Sequence, residues 1–296
     1  MAEDRRRSIA RRDLERSDHF AEVSPGLGEL DVEAFDELFD DDPDAALELM
    51  ARMTQATDRA LATLARRLAG RLVLDLARTG EATGRGSGRL VRAPADATSS
   101  DLDLDASLDG VIKARTERRP VAIDDLVATR WKQPATALCL LLDRSGSMNG
   151  ARLAAAALAT AVCSWRAPSH FAVLAFGDRV VEMKGLEATK DPEQLVSEVL
   201  ALRGHGTTDV RLALVAAQRQ LARANAGRRI TVLLSDAEVT TGGDPVPIAR
   251  SLDELVVLAP AEEPEHARAL VADAGGRLAE VGGPMQVLDA LRSVLH

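Results

Sequence analysis

Five oxygen-bearing residues, spread over three places in the chain, form the set best suited to chemistry. Asp143, Ser145 and Ser147 stand in the run Leu140-Leu141-Leu142-Asp143-Arg144-Ser145-Gly146-Ser147-Met148. Thr208 stands in Gly204-His205-Gly206-Thr207-Thr208-Asp209, and Asp236 follows the apolar run Ile230-Thr231-Val232-Leu233-Leu234-Ser235. Two carboxylates and three hydroxyls are a hard-oxygen set of the kind Mg²⁺ takes, with Mn²⁺ an acceptable replacement. The absence of nitrogen and sulfur donors argues against Zn²⁺. Two carboxylates only balance a divalent charge. Near-octahedral coordination then leaves room for a ligand from outside, and an Asp or Glu of a partner is the natural candidate.

The elements that must position these groups begin at Thr136. Apolar runs at 136–142, 170–176, 180–183, 229–234, 254–258 and 277–281 alternate with amphipathic stretches at 150–165, 192–202, 210–226, 265–274 and 284–295. Such alternation predicts an α/β fold, a doubly wound, mostly parallel, Rossmann-like sheet with helices on both faces. The run at 180–183 follows its predecessor after only Gly177-Asp178-Arg179, which predicts a hairpin and an antiparallel edge. Ligands of open parallel sheets sit at the carboxyl ends of strands, near the switch point. Asp143 and Asp236 fall at such ends, and Thr208 falls in the loop feeding the helix at 210–226. If 136–142 and 229–234 are neighbours, the three loops meet at one rim.

Upstream the character differs. Residues 1–28 are charged and broken by Ser24-Pro25-Gly26, and read as a flexible, frayed or extended N-terminus. Residues 29–133 read as a mainly helical region, and 134–296 as the α/β domain. Glu29 to Met50 holds ten acidic residues and no basic one, with Phe35, Leu38 and Phe39 at helical spacing. An acidic helix laid on the fold by its apolar face is the favoured reading; a docking segment for a basic partner is the other. Leu47, Met50, Leu61, Leu64, Leu68 and Leu72 predict one or two helices over 44–78 with a core-facing stripe. Residues 79–100, rich in Gly, Ser, Thr, Ala and Arg, read as a flexible loop. The Gly-Arg-Gly-Ser-Gly piece lacks the Gly-Lys-Ser/Thr ending of a phosphate-binding loop, so nucleotide binding is discarded there.

Composition narrows the function classes. The net charge of −9 and the scarcity of aromatics, five Phe, two Trp and no Tyr, count against nucleic acid as the main partner. No run of about 18 apolar residues predicts a membrane span. No secretory signal stands at residues 1–28, and the two cysteines, Cys139 and Cys163, lie in apolar stretches. A cytoplasmic location follows as the expectation. Ser145 and Ser147 lack the Gly-x-Ser-x-Gly setting of a nucleophile, and His205 and His170 form no evident nucleophile–base–orienter set. Asp209 and Glu238 flank the ligand set and either tune it or serve as a helix cap and a solvated carboxylate.

The pattern Asp143-x-Ser145-x-Ser147, then Thr208, then Asp236, resembles the metal-ion-dependent adhesion site of von Willebrand factor A domains. Ala237 departs from that pattern, since Gly commonly follows the last Asp. Further upstream, Leu102-Asp103-Leu104-Asp105-Ala106-Ser107-Leu108 and Val127-Ala128-Thr129-Arg130-Trp131 resemble bacterial CoxE-like proteins. The resemblance implies a non-enzymatic adaptor. On that resemblance a bound Mg²⁺ is expected to bridge to an acidic residue of a protein partner, a MoxR-type AAA+ ATPase or its client in metalloenzyme maturation or remodelling. Metal-assisted hydrolysis and RNA binding are the alternatives.

Overall fold

Residues 137–142 are apolar on both faces. Leu138, Leu140 and Leu142 join one buried cluster, and Ala137, Cys139 and Leu141 join another. A strand of this kind belongs inside a sheet covered on both sides. The structure, a computed structural model, describes residues 8–79, 89–95, 101–132, 136–144, 150–167, 170–204 and 206–295. In chain order its helices are α1 (Arg11–Leu14), α2 (Phe20–Val23), α3 (Val32–Asp41), α4 (Pro43–Met53), α5 (Arg59–Thr79), α6 (Leu104–Thr116), α7 (Gly150–Arg166), α8 (Pro192–Leu200), α9 (Val210–Leu221), α10 (Val246–Ala249), α11 (Glu265–Ala274) and α12 (Pro284–Leu295). The strands are β1 (Arg89–Pro94), β2 (Asp101–Leu102), β3 (Val127–Lys132), β4 (Thr136–Asp143), β5 (Phe171–Phe176), β6 (Val180–Lys184), β7 (Arg228–Leu234), β8 (Glu254–Pro260) and β9 (Arg277–Val281). The chain divides into two compact units, Met1–Ala82 with Thr136–His296, and Thr83–Ala135.

The larger unit is a doubly wound α/β fold. Its sheet runs β6-β5-β4-β7-β8-β9, parallel throughout except for the antiparallel edge strand β6. α7, α8 and α12 cover the face of Leu138 and Leu140, and α9, α10 and α11 cover the other. The chain leaves β4 toward β5 and β6, then returns to β7 on the opposite side. The switch point therefore lies between β4 and β7.

The N-terminal helices share the core of the first face. α4 comes so close to the start of α7 that a Cβ at Gly150 would run into Arg52 and Glu48. Thr54 Oγ1 donates to the Leu200 carbonyl at 3.0 Å, and the Met285 amide donates to Asp44 Oδ1 at 2.7 Å. α3 is acidic and buries Phe35 and Leu38, with Phe39 partly buried, as an acidic helix lying on its apolar face. The leucine stripe corrects in one respect: Leu64 is 39% exposed. The buried row of α5 is instead Leu61, Ala65, Ala69, Val73 and Ala77. Small side chains dominate that row where it faces the alanine-rich α7, and Leu68 and Leu72 pack at its margin, partly buried.

Two further readings give way. Residues 8–28 are not extended. They carry α1 and α2, and Leu14, Phe20 and Val23 are fully buried. Arg11 lies over the Phe20 ring at 5.1 Å and donates to the Ser24 and Gly26 carbonyls, so part of the charge that suggested fraying is structural. The loop reading of 79–100 fails at β1, which pairs antiparallel with β3 from Arg89↔Lys132 to Pro94↔Val127. Residues 80–88 and 96–100 lie outside the described residues.

The smaller unit holds a three-stranded sheet, β1-β3-β2, with α6. Asp103 caps α6 by accepting from the Ala106 amide at 3.0 Å. Ser107 Oγ accepts from the Val127 amide at 2.9 Å, which ties the helix to β3. Arg119 grips Asp125 through two bonds of 2.5 and 2.7 Å, and these bonds hold the Asp125 carboxyl down at about 2.

Candidate metal centre

β4 and β7 are parallel neighbours in the register Leu142↔Leu234. This brings Asp143, the last residue of β4, to the same rim as Asp236, just past β7. The Asp143 side chain is buried, and the Ser235 hydroxyl donates to its Oδ2 at 2.5 Å. Ser235 Oγ in turn accepts from the Ala237 amide at 2.9 Å. One serine thus ties the β4 end to the loop after β7.

Asp236 is held from two sides. Its Oδ1 accepts from the Glu238 amide at 3.1 Å, and its Oδ2 accepts from Arg152 Nη1 at 3.2 Å. Arg152 stands in the first turn of α7 and also donates to Glu263 at 2.8 Å. Thr208 is buried. Its amide donates to Thr240 Oγ1 at 2.7 Å, and its carbonyl accepts from the Thr240 and Thr241 amides at 3.2 Å. The loop carrying Thr208 is therefore stitched to the loop that follows Asp236. Next to it the Asp209 amide donates to the Gly177 carbonyl at 3.0 Å, which anchors the same loop at the end of β5.

A cleft of about 320 Å³ opens at this rim, lined by Asp143, Ser235, Asp236 and Arg152 over an apolar floor that includes Leu234 and Leu258. Thr208 does not line it. Ser145, Ser147, Met148 and His205 lie outside the described residues. Among the described residues no three His, Cys, Asp or Glu side chains gather as a metal cluster, so an ion here would rest on two carboxylates and on hydroxyls.

The flanking residues take their plainer roles. Asp209 caps α9 by accepting from the Leu212 amide at 2.8 Å, and Glu238 is exposed. Gly242, at φ +91°, passes so close that a Cβ would collide with the Asp209 carboxylate. Cys139 and Cys163 are fully buried, and burial pushes the Cys163 thiol up to about 12, which suits inert packing. Ser235, Arg152 and Thr240 escaped the sequence reading. Ser235 stands beside Asp236 as the polar end of an apolar strand, and Arg152 is the lone cation in the first turns of an alanine-rich helix.

Ala237 adopts φ +59°, the left-handed region, and is buried. This is the conformation for which Gly is suited. Ala237→Val is expected to destabilise the fold by about 2–4 kcal/mol, since a β-branched side chain there meets both backbone strain and a filled core. Urea denaturation measures it, and an unchanged midpoint would contradict the strained loop.

The sequence profile described as "VWA domain containing CoxE-like protein" matches residues 64–261. No match is found among curated proteins. Solved structures similar to the chain include a von Willebrand factor type A protein from Catenulispora acidiphila, with 18% identity over 57% of this chain and 44% of that one, TM-score 0.45. The chain thus spans less than half the length of that relative. BatB from Bacteroides thetaiotaomicron is 15% identical over 54% of this chain and 98% of that one, TM-score 0.43. Manganese-loaded TRAP protein from Plasmodium vivax is 19% identical over 54% and 73%, TM-score 0.45. No helix among the described residues is long and apolar enough to cross a membrane.

Proposed function

The chain belongs to the VWA domain-containing CoxE-like family, and from that premise we propose that it is a metal-dependent protein-interaction adaptor with no catalysis of its own. Its site is the oxygen set Asp143, Ser145, Ser147, Thr208 and Asp236, borne by a domain spanning 134–296. The observation that carries this reading is the pairing of Asp143 and Asp236 across one cleft at the ends of neighbouring parallel strands. The donor chemistry fits Mg²⁺ or Mn²⁺ and disfavours softer ions. Such an ion, when bound, supplies an open coordination position to an acidic residue of a partner.

The chain's own residues do the rest. Asp143 and Asp236 compensate the positive charge. Ser235 fixes the rotamer of Asp143 and the Glu238 amide that of Asp236, while Arg152, ion-paired to Asp236 Oδ2, is the cation an incoming ion must displace or share that carboxylate with. Thr240 holds the Thr208 loop in place. Groups fixed by such outer partners lose less entropy on binding an ion. The partner is a MoxR-type AAA+ ATPase or its client, in the cytoplasm.

Pull-down of a purified MoxR-type ATPase on the immobilised chain tests this reading. Retention in Mg²⁺ is expected to fall about tenfold or more in excess chelator, as loss of a charge-bearing ligand commonly does. Equal retention in both buffers would sink the adaptor role.

A further inference from the structure

α6 carries an apolar row that its own unit does not use. Leu104, Leu108 and Ile112 recur every four residues and are 74%, 53% and 58% exposed. They lie along one side of the helix. The side turned inward is marked by Ser107 and Ala114, both buried, with Ser107 hydrogen-bonded to β3. The exposed leucines therefore do not anchor the helix. Three large apolar side chains in a contiguous exposed row have the character of an interaction surface.

The charges of α6 indicate what covers the row. Its exposed acidic residues, Asp105 and Asp109, lie in the first half, and its exposed basic residues, Lys113 and Arg115, lie in the last turn. A helix acidic at one end and basic at the other complements its own reversed copy. We infer that α6 is a self-association surface, on which α6 of a second copy of this chain packs antiparallel about a two-fold axis. Leu104 then meets Ile112 of the second copy, and Leu108 meets its own equivalent. Asp105 faces Lys113 of the second copy, and the pair occurs twice by symmetry. Asp109 faces its equivalent near the axis, the one like-charge contact in this register. Antiparallel packing also opposes the helix dipoles, whereas a parallel arrangement would set acid on acid and base on base.

Sedimentation velocity of the full chain, across micromolar to submillimolar concentrations, tests this. The wild type is expected to show a reversible monomer–dimer equilibrium, and Leu108→Asp to be monomeric throughout. Leu108 is exposed, so its replacement leaves the fold intact, which circular dichroism verifies. Asp105→Lys and Lys113→Asp are each expected to weaken dimerisation by about tenfold, the effect of two symmetric ion pairs turned repulsive, and the double swap to restore it to within about threefold. A purely structural role for either residue would not produce that restoration. A wild type that stays monomeric, or a double swap no tighter than the single variants, overturns the inference.

Discussion

Asp143→Asn is expected to lower Mg²⁺ affinity by about a hundredfold or more. Asn keeps the shape of the side chain and an acceptor for the Ser235 hydroxyl, which donates to Asp143 at 2.5 Å. What it removes is one of the two carboxylates at the cleft, leaving a divalent ion half-compensated. The variant separates metal binding from folding. In chelator the wild-type Asp143 accepts from Ser235 and Asp236 is paired with Arg152, so an amide of the same shape is expected to cost the apo fold little. With free Mg²⁺ at a hundred times its Kd, the wild type gains about 2.7 kcal/mol and a higher Tm. Asp143→Asn should stay close to the wild-type Tm in chelator and gain nothing from Mg²⁺. Asp209→Asn is the contrasting control, because that carboxylate serves as the cap of α9. An equal Mg²⁺-dependent rise in wild type and Asp143→Asn would remove Asp143 from the site.

Much of the fold was legible because it is written in local patterns. Apolar runs such as 136–142, alternating with amphipathic stretches, point to doubly covered strands, and a connection as short as Gly177-Asp178-Arg179 points to an antiparallel neighbour for β5. The switch point, and with it the rim where Asp143 and Asp236 meet, follows from strand order. What was not legible depends on partners distant in sequence. β1 contains two arginines and a proline, and takes its strand geometry from β3. Ser235 and Arg152 owe their roles to carboxylates reached only through tertiary structure. Of the leucine stripe only Leu64 misled: its spacing fits the row, but tertiary packing turns the face of Leu61, Ala65 and Ala69 inward and leaves Leu64 outside it. At 8–28 the two helices are single turns of four residues each, too short for a periodicity to show.

Phe20→Ala tests that last region, and its expected cost is about 3–5 kcal/mol, the range for emptying a fully buried aromatic site. Phe20 has no exposed surface and belongs to the cluster that includes Leu47, Met53 and the sheet residues Leu138 and Leu140. The segment is also tied in through its backbone. The Ile9 amide donates to the Gln55 carbonyl, and the Thr57 amide donates to the Ile9 carbonyl, each at 2.9 Å. A cavity at Phe20 therefore removes contacts from a core continuous with the α/β sheet, and its cost should be felt by the whole unit. Trp165, near the end of α7 with its ring beside Arg78 of α5, reports on the helix layer that covers the sheet, and a Trp131→Phe background leaves it as the sole indole. Urea unfolding followed by Trp165 fluorescence should shift to a lower midpoint in Phe20→Ala with an unchanged m-value, the signature of a stability change within one cooperative unit. A Trp165 transition that stays in place while helix signal is lost separately would show that residues 8–28 fold as an appendage.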